Sequence, residues 1–286
     1  QKQLLNQIQT TDFELINSLY NNTKKELEPH NDTITPIEFL DKEIDYTKIM
    51  DNFVNWLTLA NYTSNNEVFD VGITCRTAIK NFINGQVSTL CGPNGEMDNG
   101  NGSLMRIAPI TFYLRKIYGP NFLSNPKSFM EIELLSRLTH SHQRSIIACT
   151  FYVAIMNEII NNKNILKEEI IENACNKVFN FHKDSKEIKH FSFLKNIKKF
   201  KNKNSKNLRG SGYVVNTLEC VIWIFLNENS SIDAIKSIIN FGEDTDTTAA
   251  LVGGLYNLFE ENEEINECFE KIRNKELIIE ILNKFS

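Results

Sequence analysis

Apolar residues recur at three- and four-residue spacing over most of the chain, the mark of amphipathic helices. In residues 45–60, DYTKIMDNFVNWLTLA, Ile49, Phe53, Trp56 and Leu57 fall on one stripe. Residues 142–160, HQRSIIACTFYVAIMNEII, repeat the pattern through Ile146, Cys149, Phe151, Val153 and Ile159. Residues 211–229, SGYVVNTLECVIWIFLNEN, do so through Val215, Leu218, Val221, Ile222 and Phe225. Residues 245–261, TDTTAALVGGLYNLFEE, predict a helix of small residues that can pack closely. No stretch alternates apolar and polar residues with the period of two that a half-buried strand requires. Gly and Pro gather in residues 91–103, CGPNGEMDNGNGS, which predicts the one extended flexible loop. Residues 190–212 open amphipathic and close as a basic polar loop. They do not read as a domain linker, because the apolar helices on either side would each lack a partner. The expectation is an all-α fold, a single compact multi-helix domain.

Composition narrows the class without changing that picture. A chain of 286 residues can bury one large core. A hydrophobic share of 41% and a charged share of 23% are those of an ordinary globular protein. The net charge of −5 argues against a nucleic-acid glove, and no apolar run is long enough to span a membrane. The first fifteen residues contain no signal-peptide core. Cys75, Cys91, Cys149, Cys175, Cys220 and Cys268 are scattered with no C-x-x-C pair. That predicts free thiols in a reducing compartment, and so a cytoplasmic location.

The chemistry gathers at predicted helix starts. In NFGEDTDTTAALVGG, Asp244 and Asp246 sit two apart and Thr247 follows. Residues i and i+2 do not share a helix face, so the two carboxylates converge only if Asp244 lies in the loop and Asp246 in the first turn. One reading is ordinary capping by Asp244 or Thr245. The other is a hard divalent cation held by carboxylate and hydroxyl oxygens, the donors Mg²⁺ prefers. NGNGSLMRIAPI is a Gly/Asn loop running into a helix predicted to begin near Ser103, where backbone amides could meet an anion such as a phosphate. EVFDVGITCRTAI sets Asp70 ahead of another helix, LTHSHQRS sets His140 and His142 ahead of a third, and RGSGYVVNTLE sets Ser211, Gly212 and Tyr213 ahead of a fourth. Each taken alone is equally well read as a cap or a turn. If these helix starts converge, they form one pocket rich in backbone donors and carboxylates.

Taken in order, EVFDVGITCRTAI, NGNGSLMRIAPI, LTHSHQRSIIACTFYVAI, SGYVVNTLECVIWIFLN and GEDTDTTAALVGGLY resemble the ADP-ribosylglycohydrolase family. That family includes ADP-ribosyl-arginine hydrolases and the dinitrogenase-reductase activating glycohydrolase. The five blocks run from about Asp45 to Phe259. The resemblance implies an all-α domain with a two-metal centre, usually magnesium, that hydrolyses an N- or O-glycosidic bond to ADP-ribose. It implies that Asp244, Asp246 and Thr247 are metal ligands and that Asp70 is an acid near the substrate ribose. Asp70 and Asp246 are the expected catalytic residues. It further implies that Asn101, Gly102 and Ser103 line the diphosphate side, that His142 lies near the ligand, and that Ser211, Gly212 and Tyr213 form the adenosine-side loop.

The resemblance fades toward the N-terminus. No G-D-A-L-G segment is found, and the T-D-D-T motif that supplies the other half of the family's metal site has only the partial match HNDT. There Asp32 would be the ligand, with Asn31 and His30 replacing the other aspartate and the threonine; Thr11 and Asp12 are a rival placement. Glu243, where Gly or Asp is usual, and Asn216, where Asp is usual, are further departures. One or no bound cation is therefore an alternative to two. Residues 1–44 are expected as a divergent segment packing on a main domain of residues 45–286. The leading expectation is a metal-dependent hydrolase acting on ADP-ribose or an ADP-ribosylated protein, with no nucleic-acid or membrane partner. The alternative is a catalytically impaired pseudoenzyme that binds ADP-ribose or blocks a partner. An immunity protein engaging an ADP-ribosyltransferase toxin or a regulatory protein through residues 1–44 is one form of it.

Overall fold

Helix α5, Gln143–Asn161, is apolar around almost its whole circumference, and a helix of that kind must be surrounded. Every residue from Arg144 to Ile159 is buried. The computed structural model describes residues 44–63, 66–68, 70–260, 270 and 275–283. Around α5 pack α3 (Pro109–Tyr118), α4 (Pro126–Arg137), α6 (Lys167–Phe181), α8 (Val214–Asn227) and α10 (Thr245–Phe259). Helix α9, Ser231–Ile239, lies against α8 and α10. The short α7, Ile197–Lys201, bridges α6 and α8. Helix α1 (Tyr46–Leu59) and α2 (Ile73–Ile83) build a smaller apolar cluster on Met50, Ala78, Cys91 and Leu138. Helix α11, Lys275–Asn283, comes last.

The fold is all-helical, as the periodicity predicts. Among the described residues there is no strand, only a single antiparallel bridge between Gly100 and Tyr213. Two of the apolar stripes point fully inward: Ile146, Cys149, Phe151, Val153 and Ile159 of α5, and Val215, Leu218, Val221, Ile222 and Phe225 of α8, are all buried. The stripe of α1 does not: Ile49, Phe53, Trp56 and Leu57 are half-buried, and Met50 is the buried residue of that helix. The predicted small-residue helix is α10, whose Ala249, Ala250, Gly253 and Gly254 are buried between α5, α8 and α9. Cys75, Cys91, Cys149, Cys175 and Cys220 are free thiols. No helix among the described residues is long and apolar enough to cross a membrane.

One predicted helix start is corrected. The chain after Ser103 forms only a 3-10 turn, Leu104–Arg106, and the α-helix begins at Pro109. Proline has no N–H to continue a hydrogen-bonded run from the preceding turn, yet it is favoured in the first turn of a new helix. A three-residue turn carries little of the dipole that would favour an anion at Ser103.

Candidate active site

The NFGEDTDTT segment is shaped before its side chains act. Gly242 and Glu243 both take left-handed backbone conformations, with φ of +69° and +58°. Asp244 then closes a tight turn (φ −87°, ψ 67°), its two neighbours joined by Thr245 N–H donating to Glu243 O at 3.1 Å. Asp244 N–H donates to Gly210 O at 2.7 Å, which docks this turn on the loop ahead of α8. Gly210 is required there, since a Cβ would lie 2.6 Å from Gly242 O. A non-glycine residue in the left-handed region costs about 1–2 kcal/mol, so Glu243 is strained. Glu243→Gly should stabilise the protein by roughly 0.5 kcal/mol, the strain relief less the added freedom of the unfolded chain. Thermal denaturation should therefore show a small rise in Tm. A fall would mean that the exposed Glu243 side chain makes a stabilising contact.

Asp244 occupies the N-cap position of α10, but its side chain makes no capping hydrogen bond. Its carboxylate instead accepts from Asn101 Nδ2 at 2.6 Å. The same amide nitrogen donates to Thr217 Oγ1 at 2.9 Å, and Thr217 donates to Ser211 O at 3.0 Å. Backbone bonds fix the frame: Asn101 N–H donates to Gly212 O, and Val214 N–H to Asn99 O, both at 2.9 Å. Asp246, in the first turn of α10, hydrogen-bonds Asp244. Burial, followed by that bond and the Asp244 charge, raises the Asp246 carboxyl above its ordinary 3.8. A carboxylate that does not cap its helix and a second one pressed against it are the arrangement that capping alone does not explain.

Asn101 and Gly212 are thus brought to Asp244, with Gly212 close enough that a Cβ would sit 3.5 Å from Asp244 Oδ2, and Tyr213 is the next residue of the same loop. Thr247 is next to the pair in sequence and only 5% exposed. Ser211 Oγ accepts from Asn216 Nδ2 at 2.8 Å and braces the loop from below. Gly102 presses on the His140 ring and on Cys75 of α2. Asp70 is exposed, three residues before α2 begins. Ser103 is 0% exposed; its hydroxyl accepts from Cys149 Sγ at 3.5 Å, so its side chain faces the core. His142 caps α5, its Nδ1 accepting from Arg144 N–H at 3.2 Å, while its Nε2 lies 3.7 Å from Glu96. Asp32, with Asn31, His30, Thr11 and Asp12, lies outside the described residues, as does the whole of residues 1–43.

Other members of this neighbourhood show their partners only in the fold. Arg144 is 5% exposed and ties three separate segments together. Its Nε donates to Glu187 at 2.8 Å, one terminal nitrogen to Glu96 at 2.8 Å and the other to Tyr213 OH at 3.1 Å. Its guanidinium lies 5.8 Å from the Tyr213 ring centre. His140 is held neutral: burial, helped by the Arg106 charge, pushes it down to about 3, and its Nδ1 pairs with Thr139 Oγ1 at 2.8 Å. Arg144 follows the HSH motif by two residues, but nothing in the sequence pairs it with a glutamate 43 positions away.

The donor set bears on the magnesium that the resemblance implies. Asp244, Asp246 and Thr247 offer hard oxygen donors, and two touching carboxylates are relieved by a cation between them, so these residues fit one divalent ion. Among the described residues no group of three or more His, Cys, Asp or Glu that could hold a metal ion assembles.

Comparison with known proteins places the chain in a family. A family model described as ADP-ribosylglycohydrolase matches residues 21–285. The ADP-ribosylarginine hydrolase Tri1 of Serratia proteamaculans (strain 568) is 29% identical over 210 residues, 73% of this chain and 52% of that protein. The ADP-ribosyl-[dinitrogen reductase] glycohydrolase of Rhodospirillum rubrum is 25% identical over 213 residues, 74% of this chain and 60% of that protein. The chain thus spans about half the length of the curated relatives it matches. A solved structure titled ADP-ribosylglycohydrolase-related protein complex superposes with a TM-score of 0.62 over 86% of this chain and 75% of its own, at 17% identity, which speaks for the fold alone. With an all-helical fold, a carboxylate pair set against an Asn/Gly loop, and a family match that runs nearly end to end, the chain belongs to the ADP-ribosylglycohydrolase family.

Proposed function

We propose that this chain hydrolyses the N-glycosidic bond between ADP-ribose and an arginine side chain of a modified protein. The observation that carries the reading is the Asp244–Asp246 pair, freed from capping and aimed through Asn101 at the loop that bears Gly212 and Tyr213. The arginine acceptor is suggested by the Tri1 hydrolases of Serratia proteamaculans and Pseudomonas putida (strain GB-1). In the reaction, water adds to the anomeric carbon of the ribose, the carbon–nitrogen bond breaks, and a proton returns to the guanidine nitrogen.

The residues divide the work. Asp244, Asp246 and Thr247 would hold a divalent cation, which when bound supplies positive charge that acidifies water and fixes vicinal hydroxyls. Asn101 holds Asp244 in one orientation through Oδ2, which leaves Oδ1 as the carboxylate oxygen free for a cation or water. The raised proton affinity of Asp246 suits a group that takes a proton from water when no cation neutralises it. Asp70, exposed three residues ahead of α2, is taken as the acid near the ribose on the strength of the family resemblance. The Tyr213 ring, steadied by Arg144, offers a face for the adenine.

The test is direct. An arginine-ADP-ribosylated peptide is incubated with the chain and magnesium, and the products are weighed by mass spectrometry. The expected products are free ADP-ribose and an unmodified arginine peptide, with EDTA slowing their appearance. A peptide that keeps its full modified mass at high enzyme concentration overturns the hydrolase reading.

A further inference from the structure

Residues 183–209 carry ten Lys and Arg against two acids, a net charge of +8 inside a chain of net −5, so the rest of the molecule carries −13. Concentrating like charge costs self-repulsion, and the chain's many acids lie elsewhere instead of cancelling it. Lys201 pairs with Glu168 and Lys203 with Glu219. Lys186, Lys189, Lys198, Lys199, Lys206 and Arg209 are exposed and make no ion pair among the described residues. The apolar side of the same segment is turned inward: Phe191, Leu194, Ile197 and Phe200 are buried. What remains on the outside is a strip of cations.

Its course ties it to the candidate active site at both ends. At the start, Glu187 holds Arg144, and Arg144 holds the Tyr213 hydroxyl. The segment then follows α8 from its far end back to its start. Lys201 O accepts from Asn227 Nδ2, Lys203 O from Trp223 Nε1, and Arg209 O from Cys220 Sγ. The next residues are Gly210, which docks Asp244, and then Ser211 to Tyr213. The 14 residues of α8 span about 21 Å, so the strip is long enough to meet a protein surface.

We propose that this strip is a docking surface for an acidic face of the ADP-ribosylated protein, laid along α8 while the modified side chain enters the site beside Tyr213. The proposal takes its substrate from the hydrolase reading above, but the docking itself depends only on charge. Nucleic acid is the less suited partner. Single-strand binders interleave cations with exposed aromatic rings, whereas Phe191 and Phe200 are buried here and Phe193 packs against Phe200.

The experiment compares the full chain with the triple variant Lys198→Glu, Lys199→Glu, Lys206→Glu, all exposed positions outside the site. Fluorescence anisotropy measures binding of three labelled probes: an arginine-ADP-ribosylated peptide with Glu-rich flanks, the same peptide with neutral flanks, and a short single-stranded DNA. Turnover is followed on both peptides. The expected result is tighter binding of the acidic peptide, weakened about tenfold or more by the triple variant and by added salt, with turnover of the neutral peptide unchanged. Equal binding of both peptides, or a triple variant that binds like the parent, overturns the proposal. So does DNA binding that exceeds acidic-peptide binding and disappears in the triple variant. Salt-sensitive acidic-peptide binding with no turnover of either peptide would leave the docking surface standing and remove the hydrolase reading alone.

Discussion

Replacing Asp246 by Asn should lower the rate of ADP-ribose release by about 10²–10³-fold while raising the thermal stability of the protein in EDTA. The rate falls because the site loses one of two carboxylates that place charge at the reacting centre, and preorganised charge of this kind is typically worth that factor. Stability rises because Asp246 is held half-buried against Asp244, a strained placement for two anions. Its raised proton affinity fixes the pH dependence. The folded state takes up the proton at higher pH than the unfolded chain does. The penalty is therefore absent below the ordinary carboxyl value, grows as pH rises toward the folded value, and is full above it. The Tm gap between Asp246→Asn and the parent in EDTA should be largest near neutral pH and close toward pH 4. Added magnesium should raise the parent's Tm and leave the variant's unchanged, since only a ligand-bound native state gains stability by mass action. A variant less stable than the parent in EDTA at neutral pH would mean that Asp246 serves the helix and not the site.

Arg144→Gln should cost about 2 kcal/mol of stability and weaken substrate binding more than it slows the chemical step. The guanidinium is nearly buried and forks between Glu187, Glu96 and Tyr213, so truncation leaves Glu187, 21% exposed, with only His190 at 3.5 Å beside it. Removing one member of a buried pair costs about 3–5 kcal/mol, and the exposure of Glu96 and part of Glu187 discounts that figure. For a chain of this size Tm should fall by roughly 4–8 °C. Tyr213 would lose the bond that steadies its ring, so KM should rise while kcat changes less. Arg144→Lys should not rescue either property, because an ammonium cannot reach three partners in fixed directions. Full rescue by lysine would show that charge alone matters there.

The fold was legible where a helix owes its existence to one buried stripe. Helices α5, α8 and α10 declare themselves by apolar spacing, and the absence of period-two alternation matches the absence of strands among the described residues. The helix expected at Ser103 was misplaced because the competing local signal, Pro109, sets the start of α3 six residues later. At the site, the motif GEDTDTT marks where the carboxylates are but not what they do. Capping and ligation look alike in sequence, and what sets capping aside is a contact between Asp244 and Asn101, 143 positions away. Thr217, Glu96 and Glu187 join through contacts of the same long range, with no spacing rule to announce them. The oddity of Glu243 was visible as an unusual residue, and its meaning came from a φ of +58°.

The central claim is that Asp244 and Asp246 form the reaction centre of an ADP-ribosyl hydrolase. It is tested most directly by a single-turnover measurement, with enzyme in excess over an arginine-ADP-ribosylated protein and free ADP-ribose quantified over time. The account predicts complete release by the parent chain with magnesium, and release at least about a hundredfold slower by a fully folded Asp246→Asn variant under the same conditions. Release at the parental rate by that variant would contradict it.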